Sequence, residues 1–137
     1  MESLYTSFTY NADLIEVSQG HPNELTLVFV DDTAFITIGE TTNETHDMLH
    51  DMLEQAGGGF EWSHNHNSKF ETNKFVLIDF TRTILKDKEC LPMDIQGTVI
   101  KPTPIHKFLR VIIDERLSWR QHIAYAIRKG TAYTLQL

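Results

Sequence analysis

The chain has 137 residues, 41% of them hydrophobic, and a formal net charge of −7. That is one domain or a piece of one, with enough apolar content for a buried core, so disorder throughout is excluded. A single cysteine, Cys90, excludes an internal disulfide and a cysteine-built zinc knuckle, and no run approaches the roughly 18 apolar residues of a membrane span.

Met1-Glu2-Ser3-Leu4 lacks the basic-then-apolar order of a secretory signal, so an intracellular, membrane-free chain is the expectation. Leu4, Tyr5, Phe8, Ala12 and Ile15 recur at helical spacing, and Gln19-Gly20-His21-Pro22 stops that helix. Two short β-branched runs follow, Leu25 to Val30 and Thr33 to Ile38. The two residues between them, Asp31-Asp32, are the spacing of a tight hairpin. Thr41 and Glu44 form a capping box for a helix over 42–62 whose apolar face is Met48, Leu49, Met52, Leu53 and Ala56. Gly57-Gly58-Gly59 interrupts or bends it, and Phe60 and Trp62 resume it. Residues 65–73 are turn-like, Lys74 to Phe80 reads as a buried strand, and Thr81 to Pro92 as a charged loop. Asp94 to Lys101 and Lys107 to Ile113 read as a further strand pair around Pro102-Thr103-Pro104. Ser118 is placed to cap a last helix in which Trp119, Ile123 and Ile127 share a face, weakened at Gly130. The layout is α+β, helices against an antiparallel sheet.

Charge divides along the chain. Met1 to Ser68 holds 12 Asp and Glu and no Lys or Arg. From Lys69 onward there are 12 basic and 7 acidic residues, and Lys101 to Leu137 holds 7 basic against 2 acidic, Asp114 and Glu115. The overall negative charge disfavours nucleic acid as a partner, but the split suggests a cation-attracting half and a phosphate-facing half. An uneven solvated surface accounts for the same numbers.

Asp31-Asp32 carries the sharpest chemistry. A two-residue turn lifts both carboxylates to the end of two buried strands. Hard divalent ions such as Mg²⁺ are commonly held by one or two carboxylates together with substrate phosphates. Asp also favours turns simply because it tolerates their backbone angles.

Phe29-Val30-Asp31-Asp32 resembles the aromatic-x-Asp-Asp motif of reverse transcriptases, and the likeness extends over nearly the whole chain. Leu4-Tyr5 through Tyr10-Asn11-Ala12-Asp13-Leu14 is similar to the helix preceding that motif in non-LTR (LINE-type) retrotransposon enzymes, particularly fungal ones. Asn67 to Lys74 is similar to the family's next motif, an Asn-x-x-Lys-like segment leading into a strand. His106 to Asp114, then Leu117-Ser118-Trp119 and His122, is similar to the primer-gripping hairpin and the start of the thumb. The resemblance implies a partial reverse-transcriptase palm over 1–114 and the first thumb helix over 115–137. It implies an RNA-directed DNA polymerase using Mg²⁺ or Mn²⁺, with an RNA template, a DNA primer and dNTP as partners. Asp31 would be a metal ligand and Asp32 a second or supporting carboxylate. Lys74 would stabilise or protonate the leaving pyrophosphate. Phe29 and Val30 would lie beside the primer end, with Phe108 and Leu109 on its backbone. The family usually has Gly at the position of Arg110, where a large cation either obstructs the grip or adds a phosphate contact.

The family's third metal-binding aspartate lies on an earlier strand, and neither Asp13 nor Glu24 replaces it. The expectation is therefore a truncated polymerase segment, inactive alone, with an apolar side exposed. The alternatives are a nucleic-acid-binding remnant and a small structural domain with no chemistry. His46 and His50, four apart on a helix, and His64 and His66 in a turn read as solvated residues rather than metal ligands. Trp119, Tyr125 and Tyr133 read as helix packing in preference to base stacking.

Overall fold

The computed structural model describes residues 12–18, 21–80 and 91–136. The chain divides into two compact units, Met1–Thr72 and Asn73–Leu137. The α+β reading holds, but among the described residues the strands form three separate antiparallel hairpins where one sheet was expected.

In the first unit a 3-10 segment, Ala12–Ser18, precedes β1 (Glu24–Phe29) and β2 (Asp32–Thr37). The N-terminal part of the expected helix and the Thr81–Cys90 part of the expected loop lie outside the described residues. Helix α1 (Thr42–Glu54) begins as expected at Thr41, whose hydroxyl accepts from the Glu44 amide at 3.2 Å. The Glu44 carboxylate accepts from the Glu40 amide at 2.8 Å, one residue before the partner of a standard capping box. The helix stops where the glycines stand, with Gly57 at φ +79, and restarts as α2 (Gly59–Asn65). A Cβ on Gly58 would lie 2.8 Å from the carbonyl oxygens of Gln55 and Met52, so only glycine lets the second helix start this close to the end of the first.

Leu14, Val17, Met52 and Trp62 form the core of this unit, with Val28, Phe35, Leu49 and Phe70 packed on it. Phe70 meets Phe35 edge-on at 6.3 Å and stacks with Trp62 at 6.2 Å. Burial of side chains such as Leu14 and Met52 stabilises by about 1.5–3 kcal/mol each. His46 is buried rather than solvated, because the inward face of α1 continues one turn past Leu49 and Met52 towards its start. His66 stacks on Trp62 at 4.5 Å, and its Nδ1 lies 3.0 Å from the Trp62 carbonyl oxygen, so it too departs from a solvated reading.

A 3-10 turn, Thr72–Lys74, spans the boundary between the units. Residues 75–80 do not form the buried strand that their apolar run suggests. Their one ladder contact is a bridge of Leu77 with Pro102, whose ring nitrogen has no N–H to extend a ladder. The Leu77 carbonyl accepts from Thr103 at 2.9 Å, and Leu77 is buried while Val76 and Phe80 stay exposed. Each of the two strands expected next is itself a hairpin. β3 (Met93–Ile95) turns through Gln96-Gly97 into β4 (Thr98–Ile100). β5 (Ile105–Phe108) turns through Leu109-Arg110 into β6 (Val111–Asp114). Both turns have positive φ at both central residues, the type I′ geometry that suits strand twist.

The last helix, α3 (Arg120–Leu135), starts after Trp119 and not after Ser118. The Ser118 hydroxyl is committed elsewhere, donating to Asp114 Oδ2 at 3.1 Å. α3 has no buried residue, so Trp119, Ile123 and Ile127 form an exposed face. No helix among the described residues is long and apolar enough to cross a membrane.

Candidate functional site

The Asp-Asp hairpin is displaced by one residue from its expected register. Phe29 pairs with Asp32, so the central turn residues are Val30 and Asp31, and Asp32 is the first residue of β2. Val30 has φ +54, and Asp31 is not among the positive-φ residues. Positive φ at the first central residue alone marks a type II′ turn, where glycine is the usual occupant. A β-branched residue held there is a genuine backbone outlier, and such strain tends to sit at working sites.

Register also decides what surrounds the carboxylates. Antiparallel partners project to the same face. Phe29 with Asp32, Leu27 with Ala34 and Leu25 with Ile36 therefore share one side. Thr26, buried, and Val28 with its partner Thr33 and Thr26's partner Phe35 take the other side, toward the core. The outer side is the apolar face expected to be exposed: Leu25, Leu27 and Phe29 are 48%, 45% and 55% exposed. Asp32 stands at the end of that stripe, and both Asp31 and Asp32 are exposed. The hairpin is fixed from behind by Thr37, whose hydroxyl donates to the Thr45 carbonyl at 3.0 Å.

Among the described residues no set of three His, Cys, Asp or Glu could hold a metal. Two adjacent, exposed carboxylates are nonetheless a hard-oxygen donor pair of the kind that holds Mg²⁺ when substrate phosphates complete the shell. Phe29, Val30, Asp31 and Asp32 thus lie together on one hairpin end. Lys74 lies in the second unit, exposed, in a 3-10 turn rather than at the head of a strand.

Phe108, Leu109 and Arg110 also lie together, on the β5–β6 turn of the second unit. Arg110 has φ +67, which gives a backbone reason for glycine being the better residue at that position. Sequence reasoning missed what supports this hairpin. Asp114, buried at the end of β6, accepts from the amides of Arg116, Ser118 and Trp119 and from the Ser118 hydroxyl, all at 3.1–3.2 Å. Burial pushes its carboxyl up, but these donors outweigh that and hold it below the usual carboxylate range. The signal available in sequence was Asp-x-x-x-Ser-Trp, an acceptor ahead of a run of amides. Behind the hairpin, the Ile112 amide donates to His122 Nδ1 at 3.3 Å, and Lys107 Nζ donates to the Tyr125 hydroxyl at 3.1 Å.

Over 99 residues, 72% of its length, the chain is 29% identical to the RNA-directed DNA polymerase from mobile element jockey of Drosophila funebris. It spans about a tenth of that protein's length. No family model matches the chain, and no solved structure matches it significantly. The chain is thus similar to a region of a retrotransposon reverse transcriptase.

Proposed function

We propose that the chain is a segment of an RNA-directed DNA polymerase of a fungal-like non-LTR retrotransposon. Residues 1–114 would be the C-terminal part of its palm and 115–137 the start of its thumb. The observation that carries this reading is the strained Val30-Asp31 turn, which presents Asp31 and Asp32 beside an exposed Phe29. The jockey likeness supports it independently.

In this reading Asp31 and Asp32 would hold the divalent cation, Mg²⁺ or Mn²⁺, that serves a dNTP. When bound, the ions lower the pKa of the attacking 3′ hydroxyl and steady the leaving pyrophosphate. The chain's own residues position the participants. The Val30 turn holds the two carboxylates at the hairpin tip, and Phe29 offers an apolar surface to the primer end. Phe108, Leu109 and Arg110 hold the primer backbone, paired with an RNA template. Lys74 offsets the charge that develops on the pyrophosphate. In this reading the third carboxylate that the resemblance implies is supplied from outside the pair, and the expectation is that the chain alone does not extend a primer.

The test is primer extension on an RNA template in Mg²⁺ or Mn²⁺. It uses the chain alone and a jockey polymerase whose matching segment is replaced by this one. The expected result is no extension by the chain, extension by the chimera, and its loss in Asp31→Asn. Extension by the chimera that survives Asp31→Asn would remove Asp31 from the chemistry. So would a chimera that binds primer and template as its parent does yet never extends.

A further inference from the structure

Helix α3 is seated on the β5–β6 hairpin without a core, since it buries no side chain. Among the described residues two side-chain hydrogen bonds tie it there. The Ile112 amide donates to His122 Nδ1 at 3.3 Å, and Lys107 Nζ donates to the Tyr125 hydroxyl at 3.1 Å. Lys107 and Ile112 are cross-strand partners, so both ties leave from one point of the hairpin. Ahead of the helix, the Asp114 carboxylate gathers the amides of Arg116, Ser118 and Trp119 and so fixes where α3 begins.

The first tie dictates the state of the imidazole. A backbone amide can only donate, so Nδ1 must offer its lone pair and the ring proton sits on Nε2. A second proton can go only to Nδ1. It would turn the acceptor into a donor aimed at another donor, and the bond would be lost. It would also add a positive charge where cations already gather. Lys107 Nζ and Lys129 Nζ lie 4.7 and 6.0 Å from the Tyr125 ring centre, and the His122 ring lies 6.3 Å from it. The helix brings no acid of its own, because no Asp or Glu follows Glu115. Glu115 itself lies one residue past β6, its amide bonded back to the Pro104 carbonyl at 2.9 Å. Asp114 projects to the same face of β6 as Ile112, but both its oxygens are taken by the three amides and the Ser118 hydroxyl. His106, on β5, projects to the opposite face from Lys107.

We propose that His122 is a proton-operated latch on α3. Neutral, it accepts the Ile112 amide and holds the helix to the hairpin. Protonated, it lets go and is repelled by Lys107 and Lys129. The other supports do not answer to the same proton. The Lys107–Tyr125 bond joins a cation to a neutral phenol, and both persist in acid. Asp114, held below the usual carboxylate range, stays ionised where an imidazole titrates. Unlatched, α3 keeps its fixed start and one exposed hydrogen bond, too little to set its angle. The latch stands apart from the polymerase reading and does not depend on it.

The experiment is NMR on the full chain from about pH 8 to about pH 5, the range in which histidine changes charge. Exchange of the Ile112 amide is measured against its rate in an unstructured peptide. Its protection should fall about tenfold across that range, the loss of one hydrogen bond. The residual dipolar couplings of α3 should depart from those of the hairpin with the same midpoint. The amides of Arg116, Ser118 and Trp119 should stay as they are. In His122→Asn, whose Oδ1 takes the place of Nδ1 and does not titrate, protection should stay high throughout. In His122→Ala it should be low throughout. Circular dichroism of both variants should match the parent, since α3 buries nothing. A proton found on Nδ1 at about pH 8 overturns the proposal. So do protection or couplings that do not change with pH, and a fall of the same size in His122→Asn.

Discussion

The two compact units solve the problem of holding a hairpin tip in opposite ways. Residues 1–72 carry 13 Asp and Glu against one Lys, and they hold the Asp31 turn from behind with an aromatic and aliphatic core. Residues 73–137 carry 11 Lys and Arg against 6 acids, and their last helix buries nothing. The Leu109-Arg110 turn is supported by polar ties instead: Asp114 to three amides, His122 to Ile112, Lys107 to Tyr125. The difference teaches that charge sign and mode of support go together. The acidic tip can sit on an apolar core because its carboxylates stay in water at the turn. The cationic surface is held by hydrogen bonds that leave its long side chains outside.

Breaking the core should produce the largest effect. Met52→Ala is expected to cost the first unit about 3 kcal/mol, transfer plus cavity, read by denaturant unfolding followed at Trp62. Gly58→Ala should cost about 2 kcal/mol, because the added Cβ meets backbone oxygens that cannot move aside. A neutral result would mean that the break between α1 and α2 is set elsewhere.

Relieving the turns should act with the opposite sign and separate the two tips. Val30→Gly and Arg110→Gly each remove a side chain from a left-handed conformation, and each should raise stability by about 1 kcal/mol. If the strain at Val30 serves the carboxylates, Val30→Gly gains stability while loosening metal binding, whereas Arg110→Gly gains stability with no effect on metal. Equal behaviour at both turns would erase the distinction between them.

The smallest effect is a titration. The Asp114 carboxyl is held below its usual range in the folded chain, so its stabilisation is complete above that range. It is lost as pH falls through the lower, folded value. The amide shifts of Arg116, Ser118 and Trp119 should follow that acid transition together, and Asp114→Asn should abolish it. Independent shifts would mean that the carboxylate does not tie them.

How much of this was legible in sequence follows from which interactions are local. The Thr41 cap, the glycine break and the Met48, Leu49, Met52 and Leu53 part of the α1 face depend on residues within a turn of each other and were readable, whereas Ala56, counted on that face, is exposed beyond the helix end and His46, read as solvated, is buried on it. The Asp hairpin was found but placed one residue late. Turn chemistry favours Asp at the centre, and only pairing of Phe29 with Asp32 puts Val30 there instead. The run 75–80 misled because buried strands and unpaired extended chain share an apolar pattern, and the partner at Pro102 has no N–H to offer. The residue pattern ran β3–β4 and β5–β6 each as one strand, since Gln96, Leu109 and Arg110 are not turn formers by composition, and only the family resemblance pointed to a hairpin over 106–114. Ser118 looked like a cap because a serine ahead of a helix usually is one, although the competing acceptor, Asp114, stands only four residues before it.

The central claim, that the Val30-Asp31 turn presents a metal pair for nucleotidyl transfer, is tested most directly by Mn²⁺ line broadening of backbone amides with a nucleoside triphosphate present. The account predicts broadening centred on residues 29–33, strongest when metal and nucleotide are added together, and absent in Asp31→Asn. Broadening that persists in Asp31→Asn, or that centres on any other part of the chain, would contradict it.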